Sequence, residues 1–127
     1  MADQPLIAIV DDEESVRRAL ARMLSVSAFA VETFGSGQDF IDSLSTRRPD
    51  CVVLDYQMPG LTGRDVQRRL ALLQISLPII VVTAHDQAAL REQCLADGAL
   101  AYLAKPLQRE RLVTTINEAL RLRAVTV

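Results

Sequence analysis

The chain contains few of the residues on which several protein classes depend. Its 127 residues include two cysteines, a single histidine, a single lysine and no tryptophan. The two cysteines, Cys51 and Cys94, lie in apolar contexts without CxxC spacing. This arrangement suggests neither a disulfide framework nor a zinc site, so we expect both cysteines to be buried, reduced thiols.

A surplus of basic charge is also missing. Lys+Arg number 14 against 16 Asp+Glu, which gives a formal net charge of -2 and a pI of about 5.3. Proteins that hold nucleic acid through its phosphates depend on a surplus of Lys and Arg. We therefore expect no direct contact between this domain and nucleic acid.

Long apolar runs are lacking as well. The longest uncharged stretch, residues 71–85, is interrupted by Gln74, Ser76 and Pro78, and the first residues are acidic rather than basic. Neither a signal peptide nor a membrane-spanning helix fits this pattern. We expect a cytoplasmic protein that does not associate with a membrane.

Five short runs rich in β-branched and other apolar residues recur along the chain, at 6–10, 30–34, 51–54, 78–82 and 99–103. The stretches between them have helical periodicity, as Val16, Leu20 and Met23 show on one face. Alternating helices and nearly continuous apolar strands predict a parallel sheet covered on both faces. The length accommodates one such domain, an α/β protein of (βα)₅ type with three layers.

Local signals place several helix ends. Ser36 can cap a helix over 38–44, and Thr62 or Gly63 can open the next. Gly98 stands where a glycine commonly ends a helix. We find no flexible linker, low-complexity tract or further repeat in the sequence.

Polar residues follow most of the predicted strands. They are Asp11 and Asp12 after the first strand, Asp55 after the third, Thr83 after the fourth and Lys105 after the fifth. Gly35 follows the second strand, as suits a strand at the edge of the sheet. In open α/β sheets, the functional crevice lies beyond the carboxyl ends of the strands.

If the first and third strands are neighbours, three carboxylates meet at this edge. Taken singly, each aspartate could be a turn or cap residue, but their common position favours a site. Close like charges need a cation, and carboxylates with water suit Mg²⁺. An aspartate can also accept a phosphoryl group, and an ammonium and a hydroxyl can stabilise the transfer.

Four motifs carry a resemblance to a known family. They are Ile9-Val-Asp-Asp-Glu13, Leu54-Asp-Tyr-Gln-Met-Pro-Gly60 followed by Gly63, Val81-Val-Thr-Ala84, and Asp97-Gly-Ala99 leading to Tyr102-Leu-Ala-Lys-Pro106. Over residues 6–122 the chain resembles the response regulator receiver domain, the CheY-like module of bacterial two-component signalling. The resemblance implies a flavodoxin-like fold with strand order 2-1-3-4-5.

The resemblance also implies the chemistry of the site. Asp55 looks like the phosphoacceptor, which takes the phosphoryl group from a phosphohistidine of a sensor histidine kinase. Asp12, Asp55 and the backbone carbonyl of Gln57 would hold Mg²⁺, and Asp11 would act through a bound water. Lys105 would pair with the phosphoryl oxygens.

A switch follows from the same resemblance. Thr83 would hydrogen-bond to the phosphoryl group, and Tyr102 would turn inward to fill the space that Thr83 leaves. A cis peptide is implied between Lys105 and Pro106, where the proline makes it chemically accessible. Gln57 and His85, two residues beyond Asp55 and Thr83, would influence access of hydrolytic water.

The surface expected to change on phosphorylation consists of the fourth helix (87–97), the fifth strand (99–103) and the fifth helix from about Leu107, or α4–β5–α5. It would control dimerisation or output. Leu100, Ala101 and Ala104 depart from the polar or charged residues frequent in relatives and make this surface more apolar. The dimer contacts of a particular relative therefore do not transfer.

Several readings remain open within and outside the receiver class. The amino-acid sequences of the first helix and of residues 29–34 resemble those of FixJ-like regulators. In these regulators the receiver precedes a LuxR-type DNA-binding domain and controls transcription. We expect one receiver domain over residues 1–127, without an output domain and without turnover of an external substrate. The alternatives are a stand-alone response regulator or a phosphorelay intermediate.

Two other classes fit less well. A phosphatase with an aspartate nucleophile needs Asp-x-Asp after the first strand, whereas this chain has Asp11-Asp-Glu13 there. A nucleotide-binding loop is suggested only by Gly35-Ser-Gly37, which lacks the third glycine and follows the second strand instead of the first.

Overall fold

The computed structural model describes residues 4–125, and these form five strands alternating with five helices. The strands are β1 (Leu6–Val10), β2 (Ala30–Phe34), β3 (Cys51–Asp55), β4 (Ile79–Thr83) and β5 (Ala101–Ala104). The helices are α1 (Glu14–Val26), α2 (Gly37–Ser43), α3 (Gly63–Leu72), α4 (Ala88–Ala96) and α5 (Arg109–Val125). Residues 1–3 and 126–127 lie outside the described residues.

The strands form one parallel sheet in the order β2-β1-β3-β4-β5. This order confirms the topology implied by the resemblance and places β2 at an edge. The register pairs Val10 with Leu54 at the carboxyl ends of β1 and β3. The residues that follow these two strands are thereby brought side by side.

Alternate residues of the central strands point to opposite faces of the sheet and build two cores. On one face, Val10, Leu54 and Val81 pack with residues of α2, α3 and α4, among them Phe40, Val66, Leu70 and Cys94. On the other face, Ile9, Val53 and Ile80 pack with Leu20 and Leu24 of α1 and with Leu112 and Ile116 of α5. The three-layer architecture and the burial of both reduced cysteines are confirmed.

The expected helix caps are present. The hydroxyl of Ser36 accepts a hydrogen bond from the Asp39 amide at 3.1 Å. Thr62 and Asp65 form a reciprocal capping box at the start of α3. Gly98 follows α4 with a φ of 104°, a conformation that glycine adopts without steric cost.

Some element boundaries differ from the sequence-based expectation. Asp55 and Thr83 are the last residues of β3 and β4 and not the residues that follow them. The fifth strand begins at Ala101 instead of residue 99, because the Ala99 amide bonds to the Cys94 carbonyl and closes the end of α4. The fifth helix begins at Arg109, two residues later than expected, and continues to Val125.

Candidate functional site

Three carboxylates converge at the carboxyl end of the sheet. Asp11 and Asp12 follow β1, and Asp55 ends the adjacent β3. One carboxylate oxygen from each residue lies within 4.8 Å of the others. Asp11 and Asp55 are only 1% and 5% exposed, whereas Asp12 is exposed. The cluster is therefore anchored in the protein and open to solvent on the Asp12 side.

Lys105 reaches this cluster from the end of β5. Its Nζ lies 2.9 Å from Oδ2 of Asp11 and 3.3 Å from Oδ1 of Asp55. The backbone around it is held by a hydrogen bond from the Lys105 amide to the Thr83 carbonyl at 2.7 Å. The peptide between Lys105 and Pro106 is cis, the geometry that the resemblance implies.

The electrostatics of the cluster follow from its burial and its excess of negative charge. Burial, reinforced by the Asp11 carboxylate, raises the pKa of Asp55 from 3.8 to about 6, although Lys105 opposes the shift. Burial disfavours the charged form of Lys105, but the hydrogen bond to Asp11 and the attraction of Asp55 outweigh it and raise the pKa of the ammonium. Lys105 pairs with Asp11 and Asp55, so the carboxylates of the cluster outnumber the ammonium that pairs with them.

The donor chemistry of this cluster fits a hard divalent cation. Carboxylate oxygens on a partly open site are the ligands that Mg²⁺ takes together with water. Asp11 already uses both carboxylate oxygens: Oδ1 accepts from the Glu13 amide at 2.9 Å and Oδ2 from Lys105. Asp12 and Asp55 are therefore better placed than Asp11 to supply direct ligands.

Gly63 allows α3 to approach the backbone beside the phosphoacceptor candidate. Its amide donates to the Tyr56 carbonyl at 2.8 Å. A Cβ at this position would lie 2.8 Å from Cα of Tyr56 and 2.9 Å from the carbonyl oxygen of Asp55. Glycine is thus required for the close contact that supports the end of β3.

Thr83, His85 and Gln57 surround the cluster at different depths. The Thr83 side chain is fully buried, and its hydroxyl accepts a hydrogen bond from the His85 amide at 3.0 Å. The side chains of Gln57 and His85 are exposed. They lie in the loops that follow β3 and β4, so the placement is compatible with the rim position that the resemblance implies, and their roles remain predictions.

Tyr102 of β5 occupies an inward position in this structure. It is 5% exposed and packs in the core on the α4 side of the sheet. Its hydroxyl accepts a hydrogen bond from the amide of Gln87, the N-cap of α4, at 3.3 Å. The Tyr102 ring is therefore buried in this structure and connected to the start of α4.

Sequence reasoning did not single out two residues that contact the candidate site residues. Gln87 donates its amide to Tyr102, and Arg17 of α1 donates a side-chain hydrogen bond to the Asp11 carbonyl at 2.8 Å. A backbone donor cannot be recognised from residue type. Arg17 lies one helical turn after Glu13, but it is one of thirteen arginines in the chain.

Comparison with known proteins agrees with this fold. The pattern of the response regulator receiver domain matches residues 7–117. Response regulator MprA of Mycolicibacterium vanbaalenii is 41% identical over 115 residues, which cover 91% of this chain and 50% of that protein. The chain thus spans about half the length of the curated relatives it matches.

Solved structures show the same similarity. A response regulator receiver protein from Burkholderia phymatum is 47% identical, with a TM-score of 0.82 and coverage of 92% of this chain and 95% of that one. The structure described as FixJ-N is 33% identical, with a TM-score of 0.86 and coverage of 95% and 96%. The chain belongs to the response regulator receiver domain family, and its fold is the flavodoxin-like, CheY-like one.

Because the chain belongs to this family, the phosphatase and nucleotide-binding alternatives are no longer supported. Gly35 follows β2 at the edge of the sheet and does not follow β1, and Gly37 is the first residue of α2. Within residues 4–125, no helix is long and apolar enough to cross a membrane.

Proposed function

We propose that this domain accepts a phosphoryl group on Asp55 from a phosphohistidine of a sensor histidine kinase. The observation that carries the proposal is the convergence of three carboxylates within 4.8 Å, those of Asp11, Asp12 and Asp55. Lys105 forms ion pairs with Asp11 and Asp55. Oδ of Asp55 would attack phosphorus as the bond from phosphorus to the imidazole nitrogen breaks. The electron pair of that bond stays on the imidazole.

The remaining side chains divide the work of charge neutralisation. Lys105 would pair with the oxygens of the transferred phosphoryl group, since its ammonium lies 3.3 Å from Oδ1 of Asp55. Thr83 lies at the end of the neighbouring β4 and would donate its hydroxyl proton to a phosphoryl oxygen. Gln57 and His85 would adjust the access of water to the acyl phosphate.

The residues present fit a bound Mg²⁺, which would supply positive charge to the phosphoryl oxygens. Asp12 and Asp55 would hold it directly with the Gln57 carbonyl, and Asp11 would act through water. The raised pKa of Asp55 supports this assignment, because neighbouring carboxylates contribute to the shift and a cation would relieve it.

Phosphorylation would be a signal and not a turnover reaction on an external substrate. The α4–β5–α5 surface would carry the signal, because the Tyr102 hydroxyl connects β5 to the start of α4. Leu95 and Leu100 are 40% and 41% exposed on this surface, so an apolar partner face such as a second copy would suit it. An output domain controlling transcription, outside this chain, and a cytoplasmic location complete the proposal.

Phosphotransfer from acetyl phosphate, followed by intact mass, tests the proposal. The domain should gain one phosphoryl group in Mg²⁺ and none in EDTA, and Asp55→Asn should gain none. Asp42→Asn in α2 serves as a matched control and should behave as the parent chain. Phosphorylation of Asp55→Asn to the parent level would contradict the proposal.

The dimerisation part has its own measurement. Light scattering of the phosphorylated domain should show a larger mass than the unphosphorylated domain, and Leu100→Asp should prevent the increase. A monomer in both states would reject dimerisation while leaving the phosphoacceptor role intact.

A further inference from the structure

Arg17 makes a contact that the proposed chemistry does not use. Its Nη1 donates a hydrogen bond of 2.8 Å to the backbone carbonyl of Asp11. The side chain is half-buried, and among residues 4–125 it forms no ion pair with a carboxylate. A charged donor is thus directed at a main-chain oxygen inside the acidic cluster.

That carbonyl belongs to the peptide unit between Asp11 and Asp12. A peptide unit is planar, so a donor on its oxygen restrains the backbone on both sides. The Asp11 amide donates to the Phe34 carbonyl at 3.1 Å. Together with the bonds that Asp11 makes through its carboxylate, this leaves the turn after β1 with little freedom.

Gly35 provides the space in which the Arg17 guanidinium lies. A Cβ at this position would meet Nη1 of Arg17 at 3.3 Å and Cζ at 3.6 Å. The guanidinium therefore packs against the backbone at the end of β2 on its way to Asp11. This contact gives Gly35 a packing role beside Arg17.

The neighbouring Arg18 shows that this arrangement is particular to Arg17. Arg18 pairs with Glu14 at 2.8 Å, one turn apart on the helix surface, and its side chain is 75% exposed. Both arginines lie in the second turn of α1. Only Arg17 reaches the site.

We infer that Arg17 is a positioning residue for the adjacent carboxylates Asp11 and Asp12 of the proposed metal site, acting through the peptide unit that joins them. The inference rests on the proposed function, since it assumes that these carboxylates bind Mg²⁺. Partners that orient metal ligands commonly change metal affinity by about 10- to 100-fold when they are removed. Arg17 would have this effect through the backbone.

Mg²⁺ titration by calorimetry of the unphosphorylated domain tests this role. Arg17→Met keeps the apolar stem and removes the donor, and we expect its Kd for Mg²⁺ to rise about tenfold. Arg17→Lys keeps one donor and should recover part of the loss. Arg18→Met is the matched control and should bind as the parent chain does. Thermal unfolding in EDTA should show that all three variants are folded.

The outcomes separate the inference from the proposed function. Asp12→Asn should lose Mg²⁺ binding, and if it binds normally the proposed metal site is wrong. If Asp12→Asn loses binding while folded Arg17→Met binds like Arg18→Met, the positioning role is wrong and the metal site stands. An Arg17→Lys Kd as weak as that of Arg17→Met would also overturn the hydrogen-bond role.

Discussion

Nζ of Lys105 lies 2.9 Å from Oδ2 of Asp11, although 94 residues separate them in the chain. The same ammonium lies 3.3 Å from Asp55, so one cation connects the ends of β1, β3 and β5. Lys105 is the only lysine in a chain with thirteen arginines. Replacing it with arginine therefore tests whether this position needs an ammonium and not merely a positive charge.

We predict that Lys105→Arg retains some phosphorylation but transmits it poorly to α4–β5–α5. A guanidinium is planar and larger than an ammonium, so it cannot occupy the same position between Asp11 and Asp55. Phosphorylation is measured by intact mass and transmission by amide NMR shifts of Tyr102. Parent-level shift changes in the phosphorylated variant would count against this role for Lys105.

Stability should depend on pH through Asp55. Its pKa is about 6 in the folded state against 3.8 as the reference, so the folded state binds the proton more tightly. Stability therefore falls as pH rises from about 4 to about 6 and levels off above, by at most about 3 kcal/mol. The raised pKa of Lys105 does not enter this window, since its contribution is lost only at alkaline pH.

Denaturant unfolding in EDTA measures this dependence as a difference between two proteins. Asp55→Asn lacks the titrating group, so its stability relative to the parent chain should increase between pH 4 and pH 7. Other titrating groups are shared and largely cancel. A difference that stays constant across this range would show that Asp55 titrates normally.

Tyr102→Phe should loosen the start of α4. The change removes the acceptor of the Gln87 amide, and a hydrogen bond of this kind contributes about 0.5–1.5 kcal/mol. Hydrogen exchange at the Gln87 amide should accelerate correspondingly. Tyr56→Phe, at the other tyrosine, should leave the exchange rate of the Gln87 amide unchanged. Equal exchange rates in the parent chain and both variants would show that the Tyr102 hydroxyl does not stabilise the start of α4.

His85→Ala should change the rate of dephosphorylation and leave Mg²⁺ binding in place. The side chain is exposed beside the site, while the contact to Thr83 uses the backbone amide and survives the substitution. Decay of the phosphorylated domain is followed by intact mass. Gln108→Ala, at an exposed residue just before α5, is the control, and decay of His85→Ala at the control rate would reject the role.

The extent to which sequence predicts this molecule differs between its parts. Leu6–Val10 and Ala30–Phe34 are predicted to the residue, because both are short runs rich in apolar and β-branched residues that end before a turn residue, Asp11 or Gly35. The meeting of Asp11 with Asp55 required the strand order, which came from the resemblance and not from periodicity. Once that order is known, the proximity of the two residues follows from their positions at the ends of neighbouring strands.

Other features depend on contacts that no local pattern specifies. The start of β5 was placed two residues early because the Ala99 amide is used by the end of α4. The contact of the Tyr102 hydroxyl with the start of α4 uses a main-chain donor, the amide of Gln87. Arg17 could not be distinguished from Arg18 by residue type, since only the fold determines which of them faces Asp11.

The central claim is that Asp55 is the residue that carries the phosphoryl group. The direct measurement is reduction of the phosphorylated domain with borohydride, which converts an acyl phosphate to the alcohol, followed by peptide mass mapping. We predict homoserine at position 55, formed only after incubation with acetyl phosphate and Mg²⁺. Reduction at Asp11 or Asp12, or phosphate found on His85 with Asp55 unmodified, would contradict the account.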